Sequence, residues 1–274
     1  MATGTPSPQA TSTPVRFRRS ATRLTAGQRQ KLRDSFAAVQ KIDDDRGYGY
    51  HAGIHGLPLP IGCDNAHGTD YFLPWHRAYL YFFERALRDQ VPDAMLTWWD
   101  WRTGPTHAAQ VPKAFATKTV DRKRNPLFSA TVSPLAIQQG GNQVPATTVR
   151  EPGAPGAPPL PSFQDVKDVL ALNDFVDFTA QVEQLHNAVH VWVGGHMGQI
   201  AYAAFDPIFW AHHCMIDRLW YLWQLRHPGA SVPARLRHRA LAPFPITVRE
   251  TLEVTALGYD YAASTAAAKG PGHG

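Results

Sequence analysis

Two histidines spaced four residues apart, His186 and His190 in LHNAVHVWVGG, place the strongest constraint on how this chain folds. Side chains at positions i and i+4 lie on the same face of a helix, so both imidazoles can bind one metal ion. A third imidazole from a neighbouring helix would complete three nitrogen ligands. The segment DPIFWAHHCMIDRLW offers His212 and His213 for that place. The pattern therefore predicts a metal centre shared by two helices.

An upstream stretch contains a second group of histidines, namely His51, His67 and His76. Neither cluster has a cysteine or a carboxylate as an obvious ligand, so both predicted sites consist of imidazoles alone. Imidazole suits copper, zinc, iron and nickel, and copper heads the affinity order among divalent ions. Two sites of three histidines each therefore point to copper and oxygen chemistry.

The composition is typical of a globular protein with one substantial core. The chain has 274 residues, of which 44% are hydrophobic and 18% charged, enough for one core or at most two modest domains. The formal charge of +5 comes from short, scattered basic runs, which indicate a solvated surface and neither a nucleic-acid nor a membrane partner. The two cysteines are Cys63 and Cys214. Because Cys214 lies inside a histidine motif, we expect a buried, reduced thiol.

Neither a membrane span nor a secretory signal is predicted. No apolar run approaches the ~20 residues that cross a bilayer, and the start MATGTPSPQATSTPVRFRR has no apolar stretch. We expect a cytoplasmic protein, or one secreted by a route that this sequence does not reveal.

One mainly α domain is expected over residues 15–262, between a disordered start (1–14) and a flexible tail (263–274). Thr25 can cap a helix over residues 24–42, whose apolar side chains recur at helical spacing.

Further helices are predicted after Pro74, around residues 183–192, and from Pro207 onward. Residues 105–161 are poor in periodicity and contain EPGAPGAPPLP. We expect them to form a long surface excursion with short ordered pieces. VRFRR near the start and LGYDYA near the end predict short strands.

The blocks FLPWHRAYLYFFERAL, LHNAVHVWVGG and DPIFWAHHCMIDRLW resemble those of the type 3 copper proteins, which include tyrosinases, catechol oxidases and, more distantly, hemocyanins. The resemblance covers residues 24–226. It implies a four-helix bundle that houses two copper ions and binds O2, with long irregular loops and minor strands. It also implies contact between an N-terminal arginine, Arg16 or Arg18, and a C-terminal tyrosine, Tyr259 or Tyr261.

The resemblance assigns His76 and His67 as ligands of the first copper ion, because HGTDYFLPWH matches the spacing of bacterial relatives. His51 takes the place of the remaining ligand. His55, one turn further along, competes with it, and we favour His51 because plant relatives have a cysteine where His55 stands. In those relatives the cysteine forms a thioether with the second ligand, and fungal relatives place it two residues before that ligand, where Asn65 stands here. Cys63 matches neither position.

For the second copper ion, the resemblance assigns His186 and His190, with His213 preferred over His212 because the family uses the second histidine of the pair. Metal-bound imidazoles usually donate their other N–H to a carboxylate or a carbonyl. Asp206 and Asp217 are the candidate carboxylates, and salt bridging is the alternative for both. The expected ligands of the second copper ion are therefore His186, His190 and His213.

Four neighbouring residues bear on which reaction takes place. In relatives that hydroxylate monophenols, a glutamate and an asparagine are thought to hold a water that deprotonates the phenol. Glu183 and Asn187 match those positions as they occur in fungal relatives, although an ordinary helix-surface glutamate is the alternative. Val191 and Ile200 resemble pocket-lining positions, and plant relatives have a bulky Phe where Ile200 falls.

The expected function is a di-copper phenol oxidase, with tyrosinase ahead of catechol oxidase or ortho-aminophenol oxidase. Its cofactors are two copper ions, and its partners are O2 and small phenolic substrates. The sequence ends without the shielding domain of latent relatives, which predicts either an open enzyme or a separate helper protein that loads copper. A hemocyanin-like oxygen carrier is the alternative from another class. A zinc hydrolase of the HExxH type is excluded because Asn187 stands where that motif needs glutamate.

Overall fold

The computed structural model describes residues 15–59 and 66–262, so Cys63 and the expected disordered start (1–14) and flexible tail (263–274) lie outside the described residues. The α-helices are α1 (Ala26–Val39), α2 (Tyr48–His55), α3 (Phe72–Gln90), α4 (Lys113–Ala116), α5 (Pro134–Gln139), α6 (Phe163–Val169), α7 (Phe175–Val193) and α8 (Ile208–Arg226). The β-strands are β1 (Arg16–Ser20), β2 (Thr97–Trp98), β3 (Thr119–Val120), β4 (Lys123–Arg124) and β5 (Tyr259–Tyr261). The mainly α prediction is confirmed.

The centre of the fold is a bundle of four helices, α2, α3, α7 and α8. Helix α3 packs against both α7 and α8, and these two helices pack against each other. Helix α2 packs against α3 through aromatic rings: the ring centroids of His51 on α2 and Phe83 on α3 are 5.4 Å apart. All the histidine motifs lie on these helices or on the loop that precedes α3, so the bundle brings them together.

The ends of the bundle helices follow from local sequence. Asp174 accepts hydrogen bonds from the backbone N–H groups of Val176 and Asp177, which caps α7. Gly194 ends that helix with φ of +63°, a left-handed conformation that glycine adopts without strain. Helix α7 therefore begins well before residue 183, where the predicted segment started. A capping box at Thr25, formed with Gln28, begins α1 as predicted.

A small parallel sheet joins the two ends of the described part of the chain to the bundle. Strand β1 lies between β2 and β5, and Arg18 pairs with Tyr261 in the register. The guanidinium carbon of Arg18 lies 3.7 Å from the ring centroid of Tyr259, and its Nη1 donates to the hydroxyl of Tyr261 at 3.3 Å. Both predicted strands and the predicted arginine–tyrosine contact are confirmed, with Arg18 as the arginine.

The excursion over residues 105–161 contains the short elements α4, α5, β3 and β4, as predicted. Its inner side still joins the core, since Phe115, Leu127 and Val132 are buried. Among residues 15–59 and 66–262, no helix has both the length and the apolar composition that a bilayer crossing requires.

Candidate dinuclear metal centre

Two groups of histidines meet inside the four-helix bundle. The first group takes His55 from α2, His67 from the loop before α3, and His76 from α3, with ligand nitrogens within 4.8 Å of one another. The second group, equally close, comes from α7 and α8 and consists of His186, His190, His212 and His213. The rings of His76 and His213 stack at 4.6 Å, so the two groups adjoin.

Backbone carbonyls orient several of these imidazoles and determine which nitrogen carries the proton. The pairs are His55 Nδ1 with the Ile200 oxygen at 3.3 Å, His76 Nδ1 with the Phe72 oxygen at 2.8 Å, and His190 Nδ1 with the Met197 oxygen at 2.7 Å. Because a carbonyl can only accept a hydrogen bond, Nδ1 must donate in each pair and Nε2 is left with its lone pair free. This is the arrangement that holds imidazoles as metal ligands.

The free nitrogens lack other partners. In the first group, the Nε2 atoms of His55, His67 and His76 are buried without a hydrogen-bond partner among the described residues. In the second, Nε2 of His213 lies 3.2 Å from Nε2 of His186 and 3.3 Å from Nε2 of His190. Nitrogens bound to one ion at about 2.0 Å lie roughly 3.3 Å apart at tetrahedral angles. The second group is therefore already spaced for one ion.

Burial keeps the imidazoles neutral. It lowers the pKa of His190 to about 4. Burial, together with the neighbouring imidazoles, also lowers the pKa values of the other core histidines well below the ordinary value: His55, His76, His186, His212 and His213. A metal ion needs an unprotonated nitrogen, so these side chains are ready to bind one at neutral pH.

His51 does not join the first group, and the prediction that placed it there is wrong. Helix α2 runs antiparallel to α3, so each step back along α2 moves toward the far end of α3. His55 lies 5.7 Å from His76 between ring centroids, whereas His51 packs against Phe83, two turns beyond His76. Four residues of a helix rise by about 6 Å, and His55 therefore takes the position predicted for His51.

Asp206 does not orient an imidazole, so that prediction is also wrong. Its carboxylate accepts hydrogen bonds from Nε of Arg150 at 2.8 Å and from the backbone N–H of Ile208 at 3.0 Å. Ile208 is the first residue of α8, where free N–H groups attract a carboxylate. Asp206 thus caps the helix that carries His213.

Asp217 is likewise occupied elsewhere, against prediction. Its carboxylate accepts from Nε of Arg77 at 2.5 Å, Nη1 of Arg18 at 3.1 Å and the hydroxyl of Tyr259 at 2.7 Å. The hydroxyl of Tyr261 is a further donor. No sequence pattern marks the carbonyls of Phe72, Met197 and Ile200, which do orient the imidazoles.

Glu183 and Asn187 both contact ligand histidines, one turn apart on α7. Both oxygens of Glu183 accept from the backbone N–H of Gly68, at 2.8 and 3.0 Å, and Oε1 lies 3.4 Å from Nδ1 of His67. Oδ1 of Asn187 lies 3.0 Å from Nδ1 of His186. Glu183 is buried and Asn187 is exposed. Each side chain therefore holds one imidazole, and Asn187 also faces solvent.

A cavity of about 190 Å³ reaches both histidine groups. Val191 and Ile200 line it and are 51% and 53% exposed, which places them where the cavity opens. The remaining lining residues are His55, His67, His186, Asn187, His190, Met197 and Gly198. A small molecule from solvent can therefore approach histidines of both groups.

The donor set fits two copper ions. Among the described residues, neither group includes a cysteine or a carboxylate, and neutral imidazoles suit copper, which heads the affinity order. Each group offers at least three nitrogens, and three ligands leave a position open for an exogenous molecule.

Comparison with known proteins agrees with this geometry. Residues 35–226 match the common central domain of tyrosinase. Unit D of the hemocyanin beta-C chain from Helix pomatia is 31% identical over 245 residues, covering 81% of this chain and 56% of that protein. A tyrosinase from Streptomyces glaucescens is 32% identical over 235 residues, covering 78% of this chain and 84% of that protein.

A solved functional unit of octopus hemocyanin has a TM-score of 0.73 at 28% identity, covering 90% of this chain and 68% of that one. The match to the Helix pomatia hemocyanin unit shows that this chain spans only about half the length of that protein. The matched residues 35–226 include every histidine of both groups. The chain therefore belongs to the tyrosinase domain family of type 3 copper proteins, whose members hold a binuclear copper centre.

Proposed function

We propose that this chain is a di-copper phenol oxidase of the tyrosinase type, which uses O2 to convert phenols to ortho-quinones. One observation carries the proposal: the cavity of about 190 Å³ that connects solvent to histidines of both groups. An oxygen carrier needs access only for O2, whereas an oxidase must admit an aromatic ring.

The lining of the cavity supports an aromatic substrate. Val191 and Ile200 offer apolar surface at its opening, against which a phenol ring can pack while its hydroxyl points toward the histidines. We propose these two side chains as the substrate pocket. Their modest size leaves the entrance wider than a bulky aromatic residue would.

When bound, the two copper ions supply the activation of O2 and accept electrons from the substrate. An ortho-diphenol loses two electrons and two protons, and half an O2 becomes water. A monophenol takes one oxygen atom from O2 into the ring and leaves as the quinone, while the other oxygen atom becomes water. The protein contributes neutral ligands, a shaped pocket and a place for the protons.

We propose Glu183 and Asn187 as the pair that deprotonates a monophenol. A phenol has a pKa of about 10, so little phenolate exists at neutral pH without a positioned base. Asn187 lines the cavity and lies one turn from Glu183 on α7. A carboxylate can accept about four hydrogen bonds, so Glu183 can receive a proton through a water held by Asn187 while it still accepts from Gly68.

Glu183→Gln should slow monophenol hydroxylation by about 10²-fold or more, the usual contribution of a general base, and should leave diphenol oxidation largely intact. Glutamine retains an oxygen that can accept from Gly68, so copper content should remain unchanged. Both rates are measured on the same copper-loaded preparation, with Asp177→Asn, an exposed carboxylate on α7, as the matched control. Equal losses of both activities would show that Glu183 only anchors the loop that carries His67.

A substrate panel tests the proposed function as a whole. Copper-loaded protein is assayed on tyrosine, tyramine, catechol and ortho-aminophenol, with O2 uptake and quinone formation followed together. Quinone from the monophenols supports a tyrosinase. Turnover of catechol or ortho-aminophenol alone would assign a catechol oxidase or an ortho-aminophenol oxidase.

An oxygen carrier is the second candidate, favoured by the 31% identity to the Helix pomatia hemocyanin unit. Reversible O2 binding without quinone from any member of the panel would establish this function and overturn the oxidase.

A further inference from the structure

The second histidine group has one imidazole more than three ligands require. His212 is 0% exposed, and neither of its ring nitrogens makes a hydrogen bond of good geometry with a described residue. By contrast, the buried His196 uses both nitrogens: Nδ1 accepts from the Val149 N–H at 3.1 Å, and Nε2 lies 3.0 Å from the Pro145 oxygen. Apart from a weak contact with the backbone of His186, His212 therefore leaves its hydrogen-bonding capacity unused among the described residues.

The position of His212 is within reach of a shared metal ion. Its ligand nitrogen lies within 4.8 Å of the nitrogens of the other three histidines. Its ring stacks on His186 at 5.1 Å and lies edge-on to His190 at 4.9 Å. Ligands around one ion are separated by roughly 3.3 Å, so the ligand nitrogen of His212 lies at most about 1.5 Å beyond that spacing (4.8 minus 3.3 Å).

The chemistry of His212 also favours a ligand over a packing residue. An imidazole has a nitrogen lone pair that can bind a metal ion, which an apolar packing residue lacks. A polar ring buried without a well-formed hydrogen bond is unfavourable, and an apolar side chain would fill the same space without that cost.

We infer that His212 is an auxiliary ligand of the second copper centre, which takes over a coordination position when one of the other three imidazoles is displaced or removed. The inference concerns metal binding alone, so it holds whether the protein oxidises phenols or carries oxygen.

Removal of individual ligands tests this role. The copper-loaded full chain is dialysed against metal-free buffer, and bound copper per chain is measured by mass spectrometry. His213→Ala should retain two copper ions, because His212 replaces the lost ligand, whereas His213→Ala combined with His212→Gln should retain one. His212→Gln alone should retain two, with affinity at the second centre lowered about tenfold, the effect typical of a supporting residue near a metal.

His76→Ala is the matched control, because the first group has no fourth imidazole among the described histidines, and it should retain one copper ion. Visible spectra of cobalt-substituted protein report the second centre independently, and His213→Gln replaces His213→Ala if circular dichroism shows that the alanine variant is unfolded. Loss of the second ion in the single His213 variant, or two ions retained in the double variant, would overturn the inference.

Discussion

Replacing His55 by Gln should reduce bound copper from two ions to one per chain and lower phenol oxidation by more than about 10²-fold. We expect at least this loss of activity, because replacing a residue that only supports a metal ligand already lowers metal affinity or activity 10- to 100-fold. His55 lies in the first histidine group with His67 and His76, and its free Nε2 is buried without a partner among the described residues. Copper content by mass spectrometry and quinone formation are the two measurements.

His51→Gln provides the matched control, one turn away on the same helix. His51 is also buried, and burial lowers its pKa to about 4, so the two variants remove similar imidazoles from similar surroundings. We expect His51→Gln to retain both copper ions. If instead His51→Gln loses an ion and His55→Gln does not, the position of α2 against α3 is wrong.

Asp217→Asn should lower the free energy of unfolding by about 3–5 kcal/mol, the usual cost of breaking a buried ion pair. Asp217 is 3% exposed and neutralises Arg18 and Arg77, which are fully buried. Removing its charge leaves Glu84 as the acidic partner of Arg18 and leaves Arg77 without an ion-pair partner among the described residues. Urea unfolding monitored by circular dichroism gives the free energy.

Asp44→Asn is the control for that measurement, because the Asp44–Arg46 pair is on the surface. Exposed pairs contribute little to stability, so we expect no measurable change. A loss in Asp217→Asn no larger than that in Asp44→Asn would contradict the role of the buried cluster.

The same carboxylate should make stability fall in acid. Burial by itself would raise the pKa of Asp217, but the charges of Arg77 and Arg18, with the hydrogen bond from Tyr261, lower it overall. Because the pKa is lowered in the folded state, the stabilisation by the Asp217 carboxylate is complete above the ordinary pKa of about 3.9. This stabilisation is lost as the pH falls through the pKa of the folded state. Unfolding free energies from pH 7 to pH 3 should therefore decline less steeply in Asp217→Asn than in the unmodified chain.

Local signals were sufficient for much of the architecture. The capping box at Thr25 begins α1 where the sequence predicts a cap. A second capping box, formed by Ser162 with Asp165, begins α6, and Gly194 ends α7. Such features involve residues within one turn of each other, so their geometry is already determined by the backbone. The pair His186 and His190 is predictable for the same reason.

Prediction of the ligands from the sequence was wrong where two candidate histidines share one helix face. His51 and His55 are spaced i and i+4, so both satisfy the same periodicity, and only the packing of α2 along α3 decides which meets His76. The predicted roles of Asp206 and Asp217 in orienting imidazoles were wrong for a related reason. A carboxylate pairs with whichever donor lies nearest in space, and Arg150 and Arg77 come from distant parts of the chain.

The sequence by itself determined that this chain is a mainly helical protein with two imidazole-rich clusters, because helix periodicity and ligand chemistry are properties of short segments. Only the tertiary structure decided which histidines converge, which carbonyls orient them, and that His212 lies in the second group without a hydrogen bond of good geometry among the described residues. Metal coordination requires nitrogens to agree in position within a few tenths of an ångström. That agreement depends on how four helices pack, and packing involves residues far apart in the chain.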